Sequence, residues 1–469
     1  MSNQRPDLRQ EKLRRMTTEP VHRLVLKLSV PTIASMLVTA LYNLADTFFV
    51  SSIGGYAGTC AIAAVSVSLS VMALIQALGF FVGQGASNFI SRALGRQDVR
   101  KASEMAATGL FLALLLGGAV LLIGELFTQT IARFLGADEE FVGPTADYLR
   151  WIFAAAPMMM GSFCLNNQLR FQGNALYGMI GVVSGAVLNV GLDPLMIHSL
   201  GMGAEGAALA TAISQSVGFC VLLSGTFRGD NLRIHPSRVR LSRENLGLIV
   251  QGGLPSLMRQ GCAAISVTIL NRVAGDVGAA DPAIGRAALI AAFGLVSKIV
   301  MMMNNAVIGL GQGYQPVCGF NYGAGQYSRV RKAFWFLVKA VACWCLVVAV
   351  LGEIFAPQVV RLFPDAEPKV RALATVILRF QCAAFFVNCW VVPSNMTQQT
   401  MGWMVSASVL AMARQGLFLI PLVLILPRFF GLTGLELAQP VSDFCTFCLA
   451  IPLQARVLRH LRQPDQPLP

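Results

Sequence analysis

Apolar residues in this chain come in runs of about twenty, separated by short polar turns, and a helix of about twenty residues crosses a bilayer. The runs predict about twelve spans. Six lie near 24–51, 58–81, 104–127, 142–164, 174–197 and 205–227. Six more lie near 247–274, 285–309, 333–356, 370–393, 403–427 and 434–456. The short alternating segments of a membrane β-barrel are absent. The expectation is an all-α polytopic membrane protein.

The polar stretches divide it. Residues 1–23 read as a polar tail, 24–228 as an N-terminal six-helix lobe and 229–246 as a linker rich in Arg. Residues 247–458 read as a C-terminal six-helix lobe and 459–469 as a second tail. The lobes are an internal repeat at an offset of 228. Gly83-Gln84-Gly85 returns as Gly311-Gln312-Gly313, Gly124-Glu125 as Gly352-Glu353, and Gly203, Gly206, Ala210 and Ser214 as Gly431, Gly434, Ala438 and Ser442. Pro31 pairs with Pro255 at 224. Six spans per repeat give both lobes one orientation, so their axis runs along the membrane normal with a central cleft between them. That is a transporter's geometry.

Only 13% of the 469 residues are charged and 55% are hydrophobic, which removes soluble classes. The net charge of +13 sits in a few loops, on one side if the spans number twelve. This is the positive-inside pattern, so both termini are expected in the cytoplasm, and no nucleic-acid partner is implied. No cleavable signal peptide precedes the first span. The eleven Cys lie mostly in apolar runs and the four His are scattered. Cys343, Cys345, Cys445 and Cys448 read as apolar packers, not metal ligands.

Two acids stand out inside apolar spans. Asp46 and Asp193 reach a similar depth, with Asn189 one turn before Asp193 and Thr211 at matching depth in the next span. A membrane carboxylate costs about 2.5–3.5 kcal/mol on insertion scales and marks a functional site by default. Two close carboxylates can share a proton; with an amide and a hydroxyl they can also hold Na⁺. Adding the repeat offset finds Pro421, Leu417 and Gln439, so the acid set belongs to one lobe.

Several motifs carry a family likeness across essentially the whole chain. They are Pro31 with Asp46-Thr47, GQGASNFISRALGRQD, Asn189 with Asp193-Pro194, GAEGAALATAISQ and GQGYQPVCGFNYGAGQ. The chain resembles the multidrug and toxic compound extrusion (MATE) transporters, in the bacterial branch near DinF and MepA. The resemblance implies two six-helix bundles around a central cleft, in a bacterial inner membrane. It implies antiport of lipophilic, often cationic organic compounds against H⁺ or Na⁺. It places the cation site on Asp46, Asn189, Asp193 and Thr211 and the bend of the first helix on Pro31. The acids of a C-lobe Na⁺ site are missing from RQGCAAISVTILN and QCAAFFVNCWVV, which favours H⁺ coupling.

The second lobe has its own deep charges, Arg259, Lys298 and Asp443, with Asp443 expected to pair with Lys298 or Arg259. Tyr42, Asn43, Met160, Met302, Asn304 and Asn305 complete the candidate substrate cleft. The Gly-rich stretches 83–95 and 311–325 lack the phosphate-loop pattern and read as tight turns, so ATP is not expected. No nucleophile–base pair or cofactor motif suggests an enzyme. A monomer working by alternating access is the expectation. A lipid-linked precursor flippase and Na⁺-coupled export stand as alternatives.

Overall fold

The computed structural model describes residues 4–53, 55–137, 139, 141–281, 284–363 and 367–466, and their regular structure is helical throughout. The first lobe contains α1 (Gln4–Thr18), α2 (Val21–Ser51), α3 (Gly55–Gly95), α4 (Val99–Leu126) and the short α5 (Thr128–Phe134). It continues through α6 (Val142–Phe171), α7 (Ala175–Pro194) and α8 (Gly203–Thr226). The second comprises α9 (Arg243–Ala280), α10 (Arg286–Gly323), α11 (Tyr327–Arg361), α12 (Pro368–Ala384) and α13 (Asn388–Met401). It ends with α14 (Met404–Met412) and α15 (Leu419–His460).

Among the described residues, ten stretches are long and apolar enough to cross a membrane. α9 is not among them, because Arg243, Glu244, Arg259, Arg272 and Asp276 dilute it. It nevertheless packs along α3 and α10 as a further passage. The last stretch, Met404–His460, holds two passages, since Gly431 breaks it at φ 56° and ψ −132°, a region closed to side chains. Twelve passages result, six on either side of the linker. The repeat reaches the backbone: Gly203 has φ 57° where Gly431 has 56°, and Gln97 has φ 61° where Gly325 has 70°.

Apart from a turn at Ala324 and Gly325, the Gly-rich stretches 83–95 and 311–325 are helical. Residues 83–95 end α3 and 311–323 end α10, inside helices of 41 and 38 residues. At 1.5 Å per residue these helices exceed 50 Å, well beyond a hydrocarbon core of about 30 Å. Polar sequence does not stop them because Gln84, Asn88, Gln312, Gln315 and Asn321 are buried within the protein. Their glycines instead let the lobes touch backbone to backbone. A methyl on Gly95 would overlap the carbonyl oxygen of Phe320, and one on Gly323 that of Arg92, a pair of contacts related by the repeat. A methyl on Gly252 would come 2.8 Å from the Gly85 oxygen, and one on Gly313 would sit 2.5 Å from the Ser29 Cα.

Hydrogen bonds seal the same end. Ser256 donates to Gln84 Oε1 at 2.9 Å, and Gln399 donates to Ser256 Oγ at 2.9 Å and the Gly252 carbonyl at 3.0 Å. The buried Arg170 of α6 donates across the lobes to Gln312, and to Asn167 Oδ1 at 2.5 Å. Away from this end the lobes part. On α10 the stripe Gly313, Gly309, Asn305, Met302, Lys298 passes from buried through half-buried to exposed. On α9 the stripe Ile249, Gly252, Ser256, Arg259, Val267 does the same. The cleft is closed where both termini lie and open at the opposite end.

The polar tail is ordered as α1. Lys12 pairs with Asp230 of the linker at 2.9 Å, and Asn321 of α10 donates to the Met16 carbonyl at 3.0 Å, so α1 touches both lobes. Partial burial alone would raise the Asp230 pKa. The Lys12 ammonium and the Asn174 amide outweigh it and hold the carboxyl below its usual 3.8. A depressed carboxyl stabilises above its unfolded pKa and loses that contribution as pH falls through the folded value.

Protection of α1 amides from hydrogen exchange, taken relative to the intrinsic rate at each pH, should therefore be high at neutral pH and fall below pH 3.8, and Lys12→Met should lower it at neutral pH. Unchanged exchange in the variant would remove the anchor. At the seam, Gly313→Val should lower stability by about 1–3 kcal/mol through overpacking. Gly118→Ala, where nothing stands within 4 Å, should be neutral or stabilising by up to about 1 kcal/mol. Thermal unfolding in detergent reads both, and equal losses would refute the role given to the seam.

Candidate functional site

α7 hides a narrow stripe: Ala175, Gly178, Gly181, Ala186, Asn189 and Asp193. The small residues let α8 approach closely, and Gly185 lies near the Ser214 carbonyl oxygen. Asn189 and Asp193, four apart, share this face. Asp193 is fully buried, and Asn189 and Thr211 of α8 are 2% and 4% exposed. Asn189 Nδ2 donates to Asp193 Oδ1 at 3.2 Å and to Thr211 Oγ1 at 3.4 Å.

Asp46 arrives on α2, which packs against α7, and is close enough to Asp193 for the two charges to interact. Tyr148 and Gln215, neither singled out from the sequence, join them together with Tyr42, which was read as a cleft residue. The Tyr148 hydroxyl of α6 hydrogen-bonds Ser68 and feels both carboxylates. Tyr42, a turn before Asp46, hydrogen-bonds Gln215, which lies a turn after Thr211. The signal for Gln215 was available, since four residues separate it from Thr211 on one face of α8.

What distinguishes the cluster is its unmet need. Asp46 Oδ1, Asp193 Oδ2 and Asn189 Oδ1 are buried and have no hydrogen-bond partner among the described residues. All three are acceptors. A buried acceptor without a donor costs about 1–3 kcal/mol, more if charged, so three together call for a proton or a cation. Two carboxylates, an amide oxygen and a hydroxyl suit either H⁺ or a hard cation such as Na⁺.

The second lobe answers differently. Asp443 of α15 does not pair with Lys298 or Arg259. Its partner is Arg414, whose Nε and Nη2 donate to the two carboxylate oxygens at 2.8 and 3.4 Å. Gln439 adds a donor at 2.8 Å, Asn304 accepts from Arg414 at 3.5 Å, and Ser442 bonds the Arg414 carbonyl at 2.7 Å. Arg414 prevails because a π-turn at Ala413–Leu417 presents it directly to the adjacent α15. It was legible as a cation inside an apolar run, in AMARQG. By the repeat, Gln439 and Asp443 stand where Thr211 and Gln215 stand in the first lobe.

The other candidates scatter. Met160 is fully buried in the first lobe's core. Met302 is 38% exposed and Asn305 half-buried on the opening face of α10. The side chain of Asn43 lies outside the described residues. Arg259 is half-buried, Lys298 is exposed, and neither has an ion pair among the described residues. Pro31 lies inside α2, which continues unbroken past it, with Ser35 donating to the Pro31 carbonyl at 2.9 Å. No cluster of three His, Cys, Asp or Glu at metal spacing occurs among the described residues.

Breaking the Arg414–Asp443 pair on one side should be costly. Arg414→Leu should destabilise by about 3–5 kcal/mol, and adding Asp443→Leu should recover most of it. A double variant no more stable than the single one, by thermal unfolding, would show that the pair does not act as a unit.

The MatE family model matches residues 31–195 and 283–425. The multidrug export protein MepA of Staphylococcus aureus strain N315 is 28% identical over 432 residues, covering 91% of this chain and 92% of that protein. The MepA of Staphylococcus haemolyticus is 25% identical over 456 residues, covering 96% and 98%. Among solved structures, an outward-facing multidrug resistance MATE transporter of the MOP superfamily superposes with a TM-score of 0.88 at 26% identity, covering 97% of this chain and 98% of that one. A two-lobed helical membrane fold, an internal repeat and a family match over more than half its length agree: the chain belongs to the MatE family of multi-pass membrane transporters.

Proposed function

We propose that this protein exports lipophilic organic compounds from the cytoplasm across the inner membrane by alternating access, in exchange for inward H⁺. The observation that carries the reading is the trio of unsatisfied buried acceptors around Asp46, Asn189 and Asp193. The coupling set is Asp46, Asn189, Asp193 and Thr211, assisted by the hydroxyls of Tyr42 and Tyr148.

A proton enters from the open end and is held between the two carboxylates. It removes one charge and supplies a donor where three acceptors lack one, so hydrogen bonds around Asn189 rearrange. Pro31 leaves the Lys27 carbonyl without its helical donor, a weak point at which α2 can bend. Movement of α2 changes its contact with α7 and α10 together, linking proton uptake to both lobes. Substrate is released outward, the termini-bearing end opens, and the proton leaves to the cytoplasm. One charge crossing 100 mV is worth about 2.3 kcal/mol, enough for uphill export. The protein acts as a monomer without ATP, with both termini cytoplasmic. Met302 and Asn305 line the substrate path.

Efflux of a cationic dye from proteoliposomes, under separately imposed pH and Na⁺ gradients, tests the reading. The pH gradient alone should drive wild-type efflux, and Asp46→Asn and Asp193→Asn should each reduce it at least tenfold, about 1.4 kcal/mol or more. Efflux driven only by Na⁺ would replace the coupling ion. Full pH-driven efflux in both variants would overturn the site.

A further inference from the structure

The two lobes present opposite chemistry to the cleft. At the first lobe's carboxylate site the unmatched atoms are acceptors, as described above. On α9 of the second lobe, where it leaves the seam, two neighbouring groups are unmatched donors. Arg259 follows Ser256 by one turn on the α9 stripe that leaves the seam, where the lobes begin to part. No carboxylate acts on it among the described residues. Next to it, Gln260 Nε2 is a buried donor without a partner. Farther from the seam, on the neighbouring α10, Lys298 lies on the stripe that holds Met302 and Asn305 and runs back to Gly309 and Gly313. Lys298 also lacks an ion pair among the described residues.

The acid expected to pair with them is already engaged. Asp443 accepts from Arg414 at both oxygens and from Gln439, and pairs with neither Arg259 nor Lys298. A guanidinium and an amide N–H therefore stand side by side on α9, and an ammonium stands nearer the open end beside Met302, none of them paired with a carboxylate among the described residues. Charges at this depth are expected to pair or to face a polar cavity. The complementary ligand is an oxyanion carried on an apolar body: a carboxylate, sulfonate or phosphate ester. A guanidinium grips such a group through two parallel N–H bonds, while an ammonium holds it as a point charge.

We propose that Arg259, Lys298 and Gln260 form an oxyanion subsite on the second lobe's wall, so that the cleft selects amphoteric compounds, the anionic group held here and the cationic part turned toward Asp46 and Asp193. The proposal rests on the export reading for its consequence but not for its binding chemistry. An oxyanion can come from an exported compound or from an anionic lipid headgroup entering the open cleft, and the two are separable by membrane composition.

The test uses two dyes with one ring system: rhodamine 110, which carries a free carboxylate, and rhodamine 123, its methyl ester. Fluorescence anisotropy with the full chain in neutral phosphatidylcholine nanodiscs should show about tenfold tighter binding of the acid. Arg259→Ala should bring the acid-to-ester ratio near one, Arg259→Lys should retain part of it, and Gln260→Leu should lower it severalfold. Monodispersity and thermal unfolding of each variant separate loss of fold from loss of the subsite. In phosphatidylglycerol nanodiscs, a lost preference for the acid identifies a lipid headgroup as the occupant of the same subsite; a kept preference assigns it to the exported compound. Equal binding of acid and ester by the wild type, or equal weakening of both by Arg259→Ala, overturns the proposal. Efflux of rhodamine 123 under a pH gradient, measured alongside, reports on the export reading alone.

Discussion

The architecture depends on how closely α3 and α10 approach at the end where the termini lie. Gly95 faces the Phe320 carbonyl and Gly323 faces the Arg92 carbonyl, so neither helix can carry a side chain there. Each contact gains only dispersion, but many such contacts across a dry seam add up. The lobes are therefore joined by shape. In a membrane this is a sound way to join helices, since lipid tails are as apolar as leucine and burying leucine gains little. Closing one end by backbone contact leaves the other free to part, and the graded exposure along α9 and α10 follows from that one constraint.

The duplication then makes the difference between the lobes meaningful. Both place a polar pair on the last helix of the repeat, Thr211 with Gln215 and Gln439 with Asp443. In the second lobe the acid is neutralised internally by Arg414, and both its oxygens have donors. In the first lobe the acids face a shortage of donors. The same scaffold thus gives one site whose acid is fully hydrogen-bonded and one whose buried acceptors are not. A buried pair such as Arg414–Asp443 contributes little net stability against an apolar replacement, so its cost is accepted for arrangement.

Much of this was legible along the chain. Helical spacing put Asn189 on one face with Asp193, matched depth put Thr211 beside them in the next span, and their hydrogen bonds follow. Apolar runs located the passages, but not their ends. Polar residues such as Gln84 and Gln312 look like loop residues until the partner that buries them is known, and that partner lies in the other lobe. The same nonlocality misassigned the glycines of 83–95 and 311–323, which serve close approach across the seam. The partner of Asp443 was missed because Arg414, although visible as a cation inside an apolar run, was not weighed beside Lys298 and Arg259. Its presentation to α15 by a π-turn is a local departure from regular helix that spacing does not announce.

The strap formed by α1 has a kinetic meaning. It holds the linker of one lobe through Lys12 and Asp230 and α10 of the other through Met16 and Asn321. Opening the termini-bearing end has to separate at least one of these holds. Each is worth about 1 kcal/mol, and about 1.4 kcal/mol shifts a two-state ratio tenfold. In the exchange cycle proposed above, such a strap is weak enough to be released in every turnover, yet strong enough to decide where the molecule waits between turnovers. On that reading residues 4–18 would act as a setting for the resting state, one that stands apart from both cavity walls.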